Sequence, residues 1–151
     1  MVPSLGNFLY YVTLIDDFSR KTWIYFLETK DEMLNKFHEF KALVENLTGK
    51  IIKFLRSHNG GEHTSNEFRD LCKGDVIKRE LKIPYTSQHN GIAERNNCTI
   101  IEVVKAMIHD QNLPMHLWEE ASSTAVYVQN ICPHNILGNK TPEEAFTGNN
   151  P

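Results

Sequence analysis

The sequence is short of several features that mark specialised classes of protein. It has three cysteines in 151 residues, Cys72, Cys98 and Cys132, with no Cys-x-x-Cys pair and no histidine at zinc-finger spacing. Neither a disulfide scaffold nor a zinc finger is therefore expected, and each cysteine is predicted to be a small buried apolar residue. No apolar run approaches the roughly 20 residues that cross a bilayer, and the N-terminus lacks the pattern of a signal peptide. These absences predict a reduced, intracellular protein with no membrane segment.

The chain also lacks a strong excess of either charge. The net charge is −3, which excludes a uniformly basic nucleic-acid binder. The charge is uneven, however, because residues 50–82 carry 8 basic and 5 acidic groups, a local excess of +3. Residues 1–49 carry 5 basic and 7 acidic groups, and residues 83–151 carry 3 and 7. The middle third is therefore the favoured face for a polyanion, with an ordinary solvated surface as the alternative.

Apolar patterning predicts strands and one long helix in the first part of the chain. Residues 8–20 and 21–29 are rich in aromatic and β-branched residues and are separated by a polar turn, which predicts a hairpin. A helix is predicted over 30–48, since apolar residues recur every three or four positions. Those positions are Met33, Phe37, Phe40, Val44 and Leu47. Thr29 and Glu32 have the spacing of a capping box at its start, and Gly49 is placed to end it.

The rest of the chain continues the alternation. Residues 50–57 and 76–84 predict a third strand and a further strand or extended segment, with a short capped helix over 64–72 between them. A long helix is predicted over 92–111 and another over 115–131, while Thr141 and Gly148 have the spacing of caps around a short last helix. The candidate core positions of the long helix are Ile92, Ile100, Val103, Val104 and Met107. This order predicts an α/β protein with a mixed sheet and helices on its faces.

Two polar loops are where chemistry is expected. One is RSHNGGEHTS, residues 56–65, and the other is YTSQHNGIAERNN, residues 85–97. Both combine Asn-Gly with side chains that bind metal ions or phosphate. Each stands beside a strand end or a helix start, where α/β folds usually assemble sites. His58 and Glu94, one in each loop, have 35 residues between them.

These blocks resemble the integrase catalytic core of copia-type retrotransposons, in the retroviral-integrase-like group. The similar segments, in the family's order, are YYVTLIDDFSRKTWIYFLETKDE, LVENLTGKIIKFLRS, IPYTSQHNGIAERNN, NLPMHLWEEASSTAVYVQN and NKTPEEAFTGNNP. The resemblance implies a ribonuclease-H-like α/β fold, a mixed sheet flanked by helices, with the first strand largely missing. It further implies that residues 1–135 are an N-terminally truncated catalytic core and that residues 136–151 begin the segment after the core.

The family places three carboxylates, Asp, Asp and Glu, around two Mg²⁺ or Mn²⁺ ions. Such hard cations take oxygen ligands, and a pair of them activates a water or a 3′-hydroxyl and stabilises the leaving oxygen. The third acidic position falls on Glu94, which matches. The second falls on His58, which does not, and the block that carries the first is expected before Met1. The resemblance therefore implies weak or no metal binding, with Glu94 as the one matching ligand.

Other side chains offer partial substitutes for the missing carboxylates. Asp16 and Asp17 close the first predicted strand and are interpreted as turn-forming, hydrogen-bonding groups. They lie on the family's second strand, so they are not expected to replace the first aspartate. His58 is interpreted as a loop histidine at a lost ligand position, with a chance metal site formed together with His63 as the alternative.

Nucleic-acid contacts are the remaining implication for single residues. The resemblance and the local charge assign them to polar or basic side chains on the long helix, in the two loops and on the strand between them. These are Asn59, Lys78, Arg79, Gln88, His89, Asn90, Arg95 and Asn97.

The function implied is retrotransposon DNA integration by metal-dependent polynucleotidyl transfer, acting in the nucleus on element ends and target DNA, with self-association into a homo-oligomer. This chain is expected to be catalytically inactive, because two of three acidic ligands are missing. The alternatives are a non-catalytic remnant that binds nucleic acid or a protein partner, and a decayed fragment without function. The family's first strand is central in the sheet, and without it one edge of residues 10–17 loses its hydrogen-bonding partner, which predicts a marginally stable or aggregation-prone chain.

Overall fold

The computed structural model describes residues 2–52, 54–57, 78–81 and 91–148. The strands and helices in these ranges are β1 (Tyr10–Ile15), β2 (Thr22–Leu27), α1 (Met33–Thr48), β3 (Phe54–Ser57), β4 (Lys78–Leu81), α2 (Gly91–Asp110), α3 (Trp118–Ile131) and α4 (Pro142–Thr147). They fall into two compact units, one made of Met1–Thr29 with Ala93–Pro151 and the other of Lys30–Ile92. Within these residues no helix combines the length and the apolar character that crossing a bilayer requires.

The predicted hairpin is confirmed in the first unit. β1 and β2 pair antiparallel, from Tyr10 opposite Leu27 to Ile15 opposite Thr22. Their side chains alternate between the two faces of the ribbon. Ile24 on one face packs against α2 and α3, while Trp23 on the other face contacts Phe146 of α4, with ring centroids 5.1 Å apart.

The core of the first unit lies where β2 meets α2 and α3. Ile100 of α2 is 1% exposed and packs with the buried Ala125 and Val126 of α3, and with Ile24 of β2. Two of the predicted core positions of α2, Val103 and Val104, are partly buried against the same cluster. Ile108 is also buried, although the sequence pattern did not single it out. The long helix predicted over 92–111 is confirmed as α2, and its apolar face is the one that builds the core.

Local signals explain where the helices of the first unit end. Asn112, with φ 51°, takes the left-handed conformation after α2, and the Leu113 amide donates to the Ile108 carbonyl. This is the hydrogen-bond pattern of a Schellman cap. At α4 the predicted cap is confirmed: Thr141 Oγ1 accepts from the Glu144 amide, and a Glu144 carboxylate oxygen accepts from the Thr141 amide.

Short α4 is held against the hairpin by one lysine. Lys21 Nζ lies 2.7 Å from a carboxylate oxygen of Glu143 and 5.0–5.3 Å from the ring centroids of Phe146 and Trp23. A cation between two rings and a carboxylate gains both cation–π and ionic attraction. Helix α4, which follows the predicted core boundary at residue 135, thus packs against the hairpin within the first unit.

The second unit contains α1 and a parallel pair of strands. β3 and β4 run parallel, with Phe54 opposite Lys78 and Ser57 opposite Leu81. The described residues therefore contain one antiparallel and one parallel strand pair, the two kinds of pairing found in a mixed sheet.

Helix α1 differs from the prediction in its N-terminal cap and in the last residue of its predicted apolar face. Lys30–Glu32 forms a 3-10 turn, which makes Glu32 the N-cap residue, with no side-chain cap bond. The capping box predicted from Thr29 and Glu32 is wrong, because this turn moves Glu32 out of the N3 position that the box requires. At the other end Leu47 is 63% exposed, outside the predicted core face.

The C-terminal cap of α1 is confirmed. Gly49 has φ 67°, a left-handed conformation that favours glycine, and its amide donates to the Glu45 carbonyl. The Glu45 carboxylate also accepts from the Ile52 amide and from Lys41 Nζ. These bonds hold the pKa of the Glu45 carboxyl below its usual value, with the Lys41 bond as the main cause.

Candidate nucleic-acid interface

Glu94, predicted at the third acidic position of the family site, lies in the first turn of α2. The carboxylate is exposed, and it stands near the helix N-terminus, where the helix dipole favours negative charge. Arg95 follows it and is also exposed. The first turn of α2 therefore presents one acid and one base to solvent.

Two adjacent asparagines attach this first part of α2 to the hairpin. The side-chain amide of Asn96 donates to Thr22 Oγ1 on β2 over 3.2 Å. The next residue, Asn97, accepts a hydrogen bond at Oδ1 from the Tyr11 hydroxyl on β1 over 2.7 Å. The two bonds reach both strands of the hairpin. They therefore restrain how α2 is turned about its own axis, which sets the direction in which Glu94 projects.

An aromatic cluster restrains the Tyr11 ring. Tyr11 stands opposite Phe26 in the ladder, and its ring centroid lies 6.5 Å from that of Trp118. The Phe26 ring packs edge-on against Trp118, with centroids 5.8 Å apart, and in a tilted arrangement against Phe8, with centroids 5.9 Å apart. Burial in this cluster raises the pKa of the Tyr11 hydroxyl above its ordinary value. The hydroxyl is thus held in place as a neutral hydrogen-bond donor.

The structure confirms the turn-forming interpretation of Asp16. Its Oδ2 accepts from the Ser19 amide and hydroxyl, at 2.9 and 2.6 Å. Such bonds from an aspartate carboxylate to a nearby backbone amide stabilise a turn. Arg20 completes the turn with φ 62° and donates its amide to the Asp16 carbonyl. Because Oδ2 is already used inside the turn, Asp16 acts as a local brace of the hairpin.

The other predicted site residues are placed in two different ways. Lys78 and Arg79 lie on β4, opposite Phe54 and Leu55 of β3. Five further predicted positions fall outside the described residues. They are His58, Asn59, Gln88, His89 and Asn90.

Sequence reasoning missed the partners that position the start of α2. Tyr11 and Asn97 are 86 positions apart, and Thr22 and Asn96 are 74 apart. No local pattern links residues at such separations. The nearest available signal is that a tyrosine and a threonine interrupt the apolar face of a buried hairpin, where polar side chains need partners.

The cysteines correct one expectation. Cys98 and Cys132 are free and exposed, so the prediction that they are buried apolar residues is wrong for both. Cys98 lies two positions before the buried Ile100, on the solvent side of α2, and Cys132 caps the end of α3. Cys72 lies outside the described residues.

The donors in the described ranges do not fit a two-metal centre. No group of three or more His, Cys, Asp or Glu side chains comes together there. Of the two residues predicted at family metal positions, Glu94 carries a carboxylate, whereas His58 carries an imidazole and lies outside the described residues. Two closely spaced Mg²⁺ ions need several shared carboxylate oxygens to offset their repulsion.

Comparison with known proteins places these elements in a family. The chain is 47% identical over 146 residues, 97% of its length, to the retrovirus-related Pol polyprotein of transposon TNT 1-94 from Nicotiana tabacum. It is 35% identical over 150 residues to the corresponding polyprotein of transposon RE2 from Arabidopsis thaliana. The chain belongs to the family of copia-type retrovirus-related Pol sequences.

Solved structures show the same fold. The catalytic core domain of HTLV-2 integrase, solved with magnesium in a trimeric form, superposes with a TM-score of 0.65 at 22% identity, covering 89% of this chain and 82% of that one. A chain of the simian T-cell lymphotropic virus intasome, solved in complex with PP2A regulatory subunit B56 gamma, gives a TM-score of 0.71 at 23% identity. The match covers 90% of this chain and 47% of that chain. This confirms the predicted ribonuclease-H-like α/β fold.

The comparisons also set the scale of the similarity. This chain spans about a tenth of the length of the curated Pol polyproteins, 11% of the TNT 1-94 protein and 10% of the RE2 protein. No protein-family profile matches the chain.

Proposed function

We propose that this integrase core binds DNA through its fold but does not join DNA strands. The integrase reaction is a metal-dependent polynucleotidyl transfer, and Mg²⁺ or Mn²⁺ bound to clustered carboxylates supplies its chemistry. The observation that carries the proposal is the contrast at the predicted site, where Glu94 matches an acidic position and His58 replaces one. Glu94 contributes an exposed carboxylate at the start of α2. Among the residues that the structure describes, it is not part of a group of three or more metal-binding side chains.

The chemistry of the donors supports the inactive half of this proposal. An imidazole offers one neutral nitrogen, a ligand better suited to Zn²⁺ than to Mg²⁺. Asp16 does not offer a substitute ligand, because its Oδ2 is engaged in its turn. Restoring an acid at position 58 alone is therefore not expected to rebuild the site.

Charge supports the DNA-binding half. Residues 50–82 carry a local excess of +3, and within them Lys78 and Arg79 lie side by side on β4. Basic side chains near a phosphate backbone release counterions, which makes the affinity depend on salt. We further propose that the domain binds DNA in the nucleus and that it self-associates. The HTLV-2 integrase catalytic core domain has been solved in dimeric and trimeric forms, which supports self-association.

The catalytic half is tested by a strand-joining assay. The 151-residue chain and its His58→Asp variant are incubated with labelled oligonucleotide duplexes in Mg²⁺ and, separately, in Mn²⁺. We expect no joined product from either protein. Product that disappears in a Glu94→Gln variant would contradict the proposal, and product from His58→Asp alone would show that another side chain completes the site.

The binding half is tested by titrating a labelled duplex at several salt concentrations. We expect the affinity to fall as salt rises, with a slope of about 0.9 for each phosphate contact. Lys78→Gln with Arg79→Gln is expected to weaken binding and flatten that slope. Lys105→Gln with Lys140→Gln is the matched control, since it removes two exposed positive charges outside residues 50–82. No affinity for the duplex, or equal losses in both double variants, would refute a DNA contact at β4 and favour a remnant without this function.

A further inference from the structure

The hydrogen bond between Tyr11 and Asn97 joins a strand residue to a residue three positions after Glu94. The Tyr11 hydroxyl donates to Oδ1 of Asn97 over 2.7 Å. The bond therefore uses the acceptor of the amide. In the described part of the chain, the Nδ2 group of Asn97 makes no hydrogen bond to an acceptor.

An unrestrained asparagine amide can turn over and present either its oxygen or its nitrogen in a given direction. A phosphate group carries acceptor oxygens, so it attracts the Nδ2 hydrogens and repels the Oδ1 atom. An amide whose oxygen is already fixed on the protein side offers donors on the other side. Asn97 is arranged in this way.

The parts that hold Tyr11 and Asn97 are themselves restrained. The Tyr11 ring packs near Trp118 and opposite Phe26. On α2, the neighbouring Asn96 is tied to Thr22 of the same hairpin. Neither the donor ring nor the helix that carries the acceptor is therefore free to turn, and preorganisation of this kind lowers the entropy that binding costs.

We propose that Tyr11 is a positioning residue for Asn97, fixing its amide so that the Nδ2 hydrogens are presented as donors to phosphate oxygens of bound DNA. The inference rests on the proposed DNA-binding function and deepens it. It assigns the recognised group, a backbone phosphate, and a role to a strand residue that does not itself touch DNA.

The test compares duplex affinity in four variants of the 151-residue chain, each held well below its unfolding temperature. Tyr11→Phe keeps the ring and removes the hydroxyl, and we expect it to weaken binding about threefold to tenfold, the size of one net hydrogen bond. Asn97→Ala should weaken binding at least as much. With Asn97→Ala already present, Tyr11→Phe should cause no further loss. Tyr127→Phe is the control, because that tyrosine is 65% exposed on α3.

Asn97→Asp provides a second check that does not depend on losing the Tyr11 bond. The carboxylate can still accept from the Tyr11 hydroxyl but offers no donor, so we expect a folded protein with weakened binding. Chemical shifts of the Asn97 side-chain amide report the bond directly and should move in Tyr11→Phe but not in Tyr127→Phe.

Two outcomes separate the inference from the function beneath it. Suppose that the unsubstituted chain binds the duplex. The inference fails, while the proposed function stands, if Tyr11→Phe leaves the affinity unchanged. It also fails if Tyr11→Phe lowers the affinity by the same factor whether or not Asn97→Ala is present. If the unsubstituted chain shows no salt-dependent affinity for the duplex, the proposed function fails, and the inference fails with it.

Discussion

Single side chains in this protein take their roles from partners far along the chain. Tyr11 lies on a strand in a pattern that predicts only an apolar face, yet its hydroxyl reaches Asn97 on α2. Asp16 shows the opposite case, because its partner Ser19 is three positions away and the turn was predictable from the sequence. Sequence separation therefore decides which residue roles can be predicted.

The raised pKa of Tyr11 predicts a specific dependence of stability on pH. The folded state favours the neutral hydroxyl, while the unfolded chain loses this proton near pH 10. Above pH 10 the unfolded state therefore binds fewer protons than the folded state, and the free energy of unfolding falls as the pH rises. Tyr11→Phe removes this contribution. The amount by which its free energy of unfolding lies below that of the unsubstituted protein should therefore shrink between about pH 9 and pH 11.

Urea unfolding of both proteins at each pH measures this difference, and titration of all other groups largely cancels in the comparison. A deficit that stays constant or widens as the pH rises would mean that burial does not raise the pKa of Tyr11.

At the scale of elements, a helix cap depends on residues that are close in the sequence, whereas the edge of a strand depends on a partner from another element. The N-cap at Thr141 was predicted from the sequence, and the structure shows it as part of a capping box with Glu144. The same spacing at Thr29 did not give a box, because a 3-10 turn comes before α1. The backbone groups at the outer edge of β2 find their partner on another element. The Asp16 amide donates to the Lys21 carbonyl, while the amide and carbonyl of the next residue, Thr22, are both bonded by a side chain of α3.

Asn130 of α3 closes this edge of β2. Its Oδ1 accepts from the Thr22 amide over 2.9 Å, and its Nδ2 donates to the Thr22 carbonyl over 2.8 Å. Thr22 is 2% exposed, so water cannot replace these bonds. The asparagine amide thus takes the place of a neighbouring strand at one position.

Asn130→Ala should therefore lower the free energy of unfolding by about 2–4 kcal/mol, because two buried backbone groups lose their partners. Gln129→Ala is the matched control: it removes the adjacent amide, whose buried oxygen has no hydrogen-bond partner in the described residues. We expect a loss below about 1 kcal/mol for that variant. Denaturant unfolding compares the two, and equal losses would show that the Asn130 amide does not stabilise the β2 edge.

At the scale of the whole molecule, the first unit is held together by one apolar cluster between β2, α2 and α3. The period of the sequence predicted which face of α2 is apolar. It could not show that Ala125 and Val126, about 25 positions later, would cover that face. The exposure of adjacent isoleucines, 1% for Ile100 and 36% for Ile101, marks the boundary of this core.

These two isoleucines make a matched test of the core. Ile100→Ala leaves a cavity in a packed cluster and should lower the free energy of unfolding by about 2–5 kcal/mol. Ile101→Ala makes the same chemical change at the surface and should cost less than about 1 kcal/mol. Thermal or urea unfolding measures both, and a larger loss for Ile101 would place the core on the other side of α2.

The sequence by itself determined the elements and the family. Local period set the hairpin and the bounds of α2, predicted over 92–111 and observed as Gly91–Asp110, because side-chain spacing of two or 3.6 is a local property. The tertiary structure alone decided which polar groups meet: Tyr11 with Asn97, Asn96 with Thr22, and Asn130 with the edge of β2. Such pairs form because buried polar groups must find partners, and the fold selects those partners from residues that no local pattern connects.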